Sequence, residues 1–308
     1  MGSELRLTVW TSAPGVAGSA FQQAFGEFER LEGLMSVWRD GSDVVRINAA
    51  AGERPVAAAP EVRDILHIAN QVSDWTGGKF DVTFGALADI WKFDHDQDNT
   101  VPDSEAIRTR LPLIDYHGVA IDDPTGTVFL KRKGMRIHLG GIGKGYAMDR
   151  VVKMLRGHGL DNFMIQAGGD LYVAGRRGDR PWRLGINDPR GPGGRSFATI
   201  VLSDSTFSTS GDYERHFFKD GRRYHHLLDP ATGQPAAGCR SVTIATPQAV
   251  LADGLSTGVF IMGPERGMEL IERLPDVEGV IVTSRNEVLV SSGLRRRLAI
   301  VSQPTDAP

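Results

Sequence analysis

Cysteine is nearly absent from this chain: Cys239 is the only one among 308 residues. No intrachain disulfide can form, and a cage built of cysteines around a metal is excluded. A run of about 18 apolar residues is also missing, so no membrane-spanning helix is expected. Neither sign of charge dominates, with 35 Lys and Arg against 38 Asp and Glu and a formal net charge of -3. That excludes a broad basic surface for nucleic acid, though not a local basic pocket. The 37 glycines show no three-residue period, which excludes collagen and points to many tight turns. Met1 to Trp10 lack the basic start and apolar stretch of a signal peptide. Met1-Gly2-Ser3 reads either as a native cytoplasmic start or as a cloning scar before a trimmed chain.

What is present is an ordinary globular balance, 41% hydrophobic and 24% charged residues, which excludes disorder and coiled coil. Phe21, Phe25, Phe28, Leu31, Met35 and Trp38 recur at three- and four-residue steps and predict a helix over Val16 to Trp38. Val62, Ile65, Leu66, Ala69 and Val72 predict a second, opened by Pro60 and closed by Gly77-Gly78. Asp94 to Asp98 reads as a loop. Val119–Ile121 and Val128–Leu130 bracket a turn and predict a hairpin. Arg136 to Leu139 reads as a strand that feeds the glycine-rich segment 140–145 and a helix ending near Gly157. Short apolar runs from Phe163 to Leu202 predict antiparallel sheet. A strand at Ser241–Ala245, helices at Ala252–Met262 and Arg266–Leu274, and a hairpin over Gly279–Val290 complete the chain. The expected fold is α+β, one bilobed domain over 8–302 with a largely antiparallel mixed sheet. Residues 1–7 and 303–308 are expected as tails.

Five segments could carry chemistry. A strand, a glycine turn and a helix start at Gly140–Gly145 would present backbone N–H groups to a phosphate, with Lys144 adding charge. The spacing matches neither the P-loop nor the dinucleotide fingerprint, and a tight packing turn explains it equally. Gly168-Gly169-Asp170 offers close approach and a carboxylate, or a capped turn. Ser208 to Arg215 is a polar cluster or a hydroxyl-rich turn. In His225-His226, adjacent residues of a strand face opposite ways, so at most one serves a given site. His226 has the ordinary pKa of a base near neutrality, and zinc lacks a third ligand at suitable spacing. Asp253 and Thr257 share a helical face and are hard oxygen ligands suited to Mg²⁺ beside a phosphate, or a cap and a hydroxyl bonded back to the chain. Together they suggest Mg²⁺-assisted chemistry at a phosphate.

In this order the segments resemble the FAD:protein FMN transferase (ApbE) family. The resemblance rests on Met35–Arg39 with Arg46-Ile47-Asn48, Gly78–Thr83 with Leu87 and Trp91, Leu139–Asp149, Gln166–Asp170, Thr209–Glu214, His225–Pro235 and Ala252–Thr257. It implies an α+β fold with a flavin-binding cleft. It also implies transfer of FMN from FAD to a Thr hydroxyl of a target flavoprotein through a phosphoester, with release of AMP and a requirement for Mg²⁺. Asp253 and Thr257 are then side-chain Mg²⁺ ligands and Gly143 a backbone one. Asp170 and His226 are tied to FAD binding and transfer, and either is the candidate base. Met35, Asn48, Phe80, Asp81, Leu87, Gly141, Lys144, Gly169, Thr209 and Ser210 fall in regions lining the FAD site. His138 stands where the family often has Asp, and Gly143 where it often has Ala. The resemblance implies a periplasmic or membrane-anchored protein, while the missing export signal leaves a cytoplasmic one open. Two other readings stand beside transfer: an FAD pyrophosphatase yielding FMN and AMP, and a non-catalytic FAD-binding protein.

Overall fold

The computed structural model describes residues 3–307. The chain opens with strand β1 (Leu5–Val9) and the long helix α1 (Pro14–Met35), followed by α2 (Asp43–Ala49). Strand β2 (Val56–Ala57) leads into α3 (Pro60–Thr76), which ends on Gly77 in the left-handed conformation (φ 61°). A short helix α4 (Ser104–Arg110) precedes the hairpin β3 (Val119–Asp122) and β4 (Thr127–Leu130). Then come α5 (Gly143–Gly157), β5 (Phe163–Ala167), β6 (Asp170–Ala174), β7 (Trp182–Asn187), β8 (Ser196–Leu202) and β9 (Ser205–Gly211). A hairpin of β10 (His216–Lys219) and β11 (Arg222–His225) is followed by the two-residue strands β12 (Leu228–Asp229) and β13 (Gln234–Pro235). Strand β14 (Cys239–Thr246), α6 (Ala249–Met262), α7 (Pro264–Arg273), β15 (Glu278–Thr283), β16 (Val288–Val290) and β17 (Leu298–Ile300) close the fold.

The centre is a seven-stranded sheet in the order β1-β5-β6-β9-β14-β15-β16. All pairings between named strands are antiparallel; the parallel contact recorded is an isolated bridge between Phe84 and Arg136. One face is covered by α5, α6 and α7, with α1 packed on α5 and α3 on α6, and residues from Ala20 to Ile281 form one apolar cluster there. The other face carries the sheet β17-β8-β7, with Trp182, Phe197 and Phe207 in a second cluster. A third, smaller cluster joins Leu87, Trp91, Phe93, Ile107, Phe217 and Leu228 beyond the main body. The cleft described below opens between the first cluster and the third.

Helix α6 explains much of this arrangement. Apart from Asp253, Ser256 and Thr257 it is apolar around its circumference, and nearly all of it is buried, the pattern of a helix enclosed in a core. It packs on β9, β14, α3, α5 and α7. Its approach to α5 is possible only at Gly145, where a Cβ would lie 2.2 Å from the Ala249 carbonyl oxygen. The two helices cap each other at that crossing. Asp149 of α5 accepts from Ala249 N and Val250 N at the start of α6 (2.8 and 2.9 Å). Asp253 of α6 accepts from Gly145 N at the start of α5 (2.9 Å). Each carboxylate meets N–H groups that a helix start leaves unpaired.

Four expectations change. Helix α1 stops at Met35, and Trp38, read as the end of its buried stripe, is 55% exposed. Ser36 leaves the helix in extended conformation, and its carbonyl accepts from Ser42 Oγ (2.6 Å). Arg136–Leu139 is no strand: apart from the bridge to Phe84, Ile137 bonds to the Asn48 side chain and His138 N to Val82 O (2.8 Å). The segment 1–7 holds most of β1, an edge strand paired to β5. Residues 303–307 are docked rather than loose: Thr305 N and Oγ1 donate to Asp188, and Asp306 pairs with Arg240 (3.0 Å). Met1, Gly2 and Pro308, parts of the expected tails, lie outside the described residues.

Candidate active site

The cleft has a volume of about 390 Å³. Its walls differ in chemistry. Phe80, Phe84, Trp91 and Phe93 make one side aromatic, with Trp38 at its edge against His95 (4.5 Å between rings). The opposite side is polar and comes from four elements. Lys144 belongs to the first turn of α5, Asp170 starts β6, Ser208–Ser210 lie on β9, and Asp253 and Thr257 project from α6. A recess of about 120 Å³ continues the cleft past His138 and Lys144 toward Met35.

Hydrogen bonds lock the polar wall. Ser208 Oγ donates to Asp170 Oδ1. The Ser210 hydroxyl is 2.8 Å from Ser256 Oγ and 3.2 Å from Thr257 Oγ1, joining β9 to α6. Ser256 Oγ donates back to the Asp253 carbonyl (2.9 Å). The Lys144 ammonium stands between two buried carboxylates, 3.0 Å from Asp170 Oδ2 and 3.6 Å from Asp253 Oδ1. Burial pushes the Asp253 carboxyl up, and Asp170 nearby adds to this, while Lys144 opposes it. The two carboxylates hold the Lys144 ammonium above the ordinary lysine range against the effect of burial.

The paired histidines divide as the strand geometry requires. His225 is buried, bonds through Nε2 to the Ala236 carbonyl (3.0 Å) and meets Phe260 edge-on. His226 lines the cleft. Burial, and then the Arg215 charge, lower His226 to about 3, so its imidazole is neutral near pH 7. Its Nδ1–H donates to the Arg215 carbonyl (3.3 Å), which leaves Nε2 as the proton-accepting nitrogen. Cys239 is buried and pushed up to about 12, too high for a nucleophilic thiolate at neutral pH.

The expected site residues fall into three groups. Phe80, Asp81, Gly141, Lys144, Gly169, Asp170, Thr209, Ser210, His226, Asp253 and Thr257 all line the cleft. Asp81 is nevertheless committed to the chain, accepting from Thr83 N (2.8 Å), Thr83 Oγ1 (2.5 Å) and Tyr116 N (3.0 Å). Met35 and Gly143 reach only the recess. Two do not line the cleft. Leu87 is fully buried in the third cluster. Both ends of the Asn48 amide are taken by one residue just before the glycine segment: Ile137 N donates to Oδ1 (2.7 Å) and Nδ2 donates to Ile137 O (3.0 Å). Asn48 therefore holds the strand-like approach to the glycine turn in place.

The sequence placed Ser208 and Arg215 in a polar cluster but not in their roles: Ser208 anchors Asp170, and Arg215 pairs with Asp94 (2.5 Å) at the cleft edge. Alternation along β9 gives Ser208 and Ser210 one face, a signal that was available. Nothing local links Arg215 to Asp94. Asp212, inside the Thr209–Glu214 motif, turns away and forms a two-point ion pair with Arg190 (2.7 Å twice).

The sequence model of the ApbE family matches residues 1–281. A protein of Treponema pallidum named FAD:protein FMN transferase is 32% identical over 98% of this chain and 87% of its own length. One of Klebsiella pneumoniae with the same name is 32% identical over 97% of this chain and 92% of its own. The crystal structure of the ApbE protein of Thermotoga maritima superposes with a TM-score of 0.87 at 32% identity, covering 96% of both chains. The flavin transferase ApbE of Vibrio cholerae gives 0.84 at 27% identity, again over 96% of both. Matched in sequence over nearly its whole length and in fold throughout, this chain belongs to the ApbE family of FAD:protein FMN transferases.

Proposed function

We propose that the cleft binds FAD and that the chain transfers its FMN half to a threonine hydroxyl of an acceptor flavoprotein, releasing AMP. The observation that carries this reading is the two-sided cleft. An aromatic wall suits flat ring systems, and the opposing wall sets an ammonium, two buried carboxylates and several hydroxyls where a pyrophosphate would lie. The names carried by the relatives from Treponema pallidum and Klebsiella pneumoniae support it.

The same wall fits Mg²⁺. Among the described residues no group of three His, Cys, Asp or Glu forms a metal cluster. The donor set is instead two carboxylates and the hydroxyls of Ser210 and Thr257, all hard oxygens, and the buried Asp170 Oδ2 is held only by the Lys144 ammonium (3.0 Å). Asp253 and Thr257, with Asp170 beside them and the Gly143 carbonyl at the start of α5, are the groups that would hold the ion. Bound there, Mg²⁺ would neutralise pyrophosphate charge and stabilise the AMP leaving group.

The chain's own groups supply the rest. Lys144 and the Gly141 N–H meet phosphate charge; the other N–H groups of the expected glycine cradle are taken, Gly140 N by His138 Nδ1 (3.0 Å) and Ile142 N and Gly143 N by the Leu139 carbonyl (3.2 and 2.8 Å). The threonine oxygen forms a bond to the phosphorus of the FMN half, and the bond from that phosphorus to the bridging oxygen breaks, so the oxygen leaves with AMP. The hydroxyl proton passes to a base beside the acceptor, for which His226 Nε2 is free and Asp170 is the second candidate. An extracytoplasmic location belongs to the same proposal, on the family likeness alone.

The test is incubation of purified protein with FAD, Mg²⁺ and an acceptor fragment bearing the target threonine, read by intact mass and AMP release. An acceptor heavier by one FMN with matching AMP is expected. AMP and free FMN with unmodified acceptor would give water the acceptor's place and make the protein a pyrophosphatase. FAD that stays whole would make it a binding protein.

A further inference from the structure

The lysine inside the carboxylate pair has a consequence of its own. Asp170 and Asp253 come from different elements, and each spends one oxygen on the protein. Asp170 Oδ1 accepts from Ser208, and Asp253 Oδ2 accepts from Gly145 N. The remaining oxygens, Asp170 Oδ2 and Asp253 Oδ1, converge on the one Lys144 ammonium. Both carboxylates are nearly inaccessible, at 3% and 4% exposed. With both ionised, one ammonium leaves the group one positive charge short of neutrality, an arrangement that a buried site does not hold cheaply. Lys144 is also the second residue of α5, so its Nζ can swing on a four-carbon stem without moving the helix.

We propose that Lys144 is a resident stand-in cation: it holds Asp170 and Asp253 together while the cleft lacks a divalent ion, and releases Asp253 when one binds. This rests on the reading of Asp253 as a Mg²⁺ ligand. The unequal distances set the direction of the exchange. The shorter contact, to Asp170, is kept, and the longer one, to Asp253, is given up. Mg²⁺ and the ammonium then compete for one oxygen. Removing the ammonium must loosen the empty protein and strengthen Mg²⁺ binding, two effects of opposite sign. A lysine with only a structural role would weaken both.

The experiment is calorimetric titration of the full chain with Mg²⁺ alone, without FAD, for wild type, Lys144→Met, Lys144→Arg and Asp253→Asn, with the melting temperature of each metal-free protein. Lys144→Met is expected to bind Mg²⁺ about tenfold tighter than wild type, from relief of one competing charge, and to melt lower when metal-free. Lys144→Arg keeps the charge and stays near wild type. Equal or weaker binding by Lys144→Met, or no binding by both it and wild type, overturns the stand-in role. Binding by Asp253→Asn at wild-type strength overturns instead the assignment of Asp253 to the ion. Should Lys144→Met fail to fold, the wild type answers through its ¹⁵N-labelled lysine ammonium signals. The Lys144 signal is expected to move in step with Mg²⁺ saturation, and a signal unmoved at saturation overturns the proposal.

Discussion

Asn48→Ala separates a residue that supports the site from one that contacts the ligand. Asn48 bridges 89 residues of chain to satisfy both backbone groups of Ile137, at 2.7 and 3.0 Å. Ile137 is fully buried and lies outside any strand. Truncation leaves one N–H and one C=O without partners. Each such group costs ~1–3 kcal/mol when buried, and Asn48 is itself half-buried, which favours the lower half of that range. The expected loss is about 2–4 kcal/mol. With an unfolding entropy of ~2 cal/mol/K per residue, a chain of 308 residues loses ~1.5 °C per kcal/mol. The variant should therefore melt roughly 3–6 °C below wild type. The assay is a pair of melts, with and without saturating FAD, plus an FAD affinity. The ligand-free protein should already show the full drop. A ligand-free melting temperature within ~1 °C of wild type with a large loss of FAD affinity would refute the reasoning and return Asn48 to the ligand.

Gly145→Ala should be the most damaging single methyl in the molecule's centre. Its Cβ would sit 2.2 Å from a backbone oxygen, so α5 and α6 must separate and lose the Gly145–Asp253 bond; a loss above ~3 kcal/mol, or insoluble protein, is expected in a denaturant melt, and a near-wild-type midpoint would show that the helices have slack. His225 is held near 4 by burial, below its ordinary 6.5. The unfolded chain therefore takes up a proton that the folded one refuses, so the His225 contribution is whole above pH ~6.5 and falls away toward pH ~4. His225→Gln should flatten that part of the stability profile, and an unchanged slope would assign it to other groups. Cys239 should resist iodoacetamide in the native state and react once in denaturant, read by mass; rapid native alkylation would contradict its burial.

Periodicity made the helices legible. The Val62 to Val72 stripe is buried as read, and the Pro60 start and glycine stop fall where expected, because capping and amphipathicity act within a few residues. The hairpin at Val119–Leu130 and the antiparallel sheet were legible for the same local reason. Trp38, Arg136–Leu139 and the two chain ends were not. A tryptophan at helical spacing reads alike whether it fills a core or edges a cleft. A segment whose hydrogen bonds go to a distant asparagine looks like a strand until that asparagine is located. Strand β1 is ordered by β5 and Thr305 by Asp188, both partners more than 100 residues away.

The sequence alone determined which residue types were available for chemistry. It supplied hard oxygens and an imidazole, left no disulfide partner and no apolar run for a membrane, and ordered its motifs as the ApbE family does. Their roles came from packing between distant segments. That packing put Asp253 in the middle of α6 but at the start of α5, set Lys144 between Asp170 and Asp253, turned His226 to the cleft and His225 to the core, and made Asn48 a clamp. The reason is range. Propensity and capping are read over a few residues, whereas a shared charge or a buried hydrogen bond depends on which distant segments the packing brings within 3 to 4 Å.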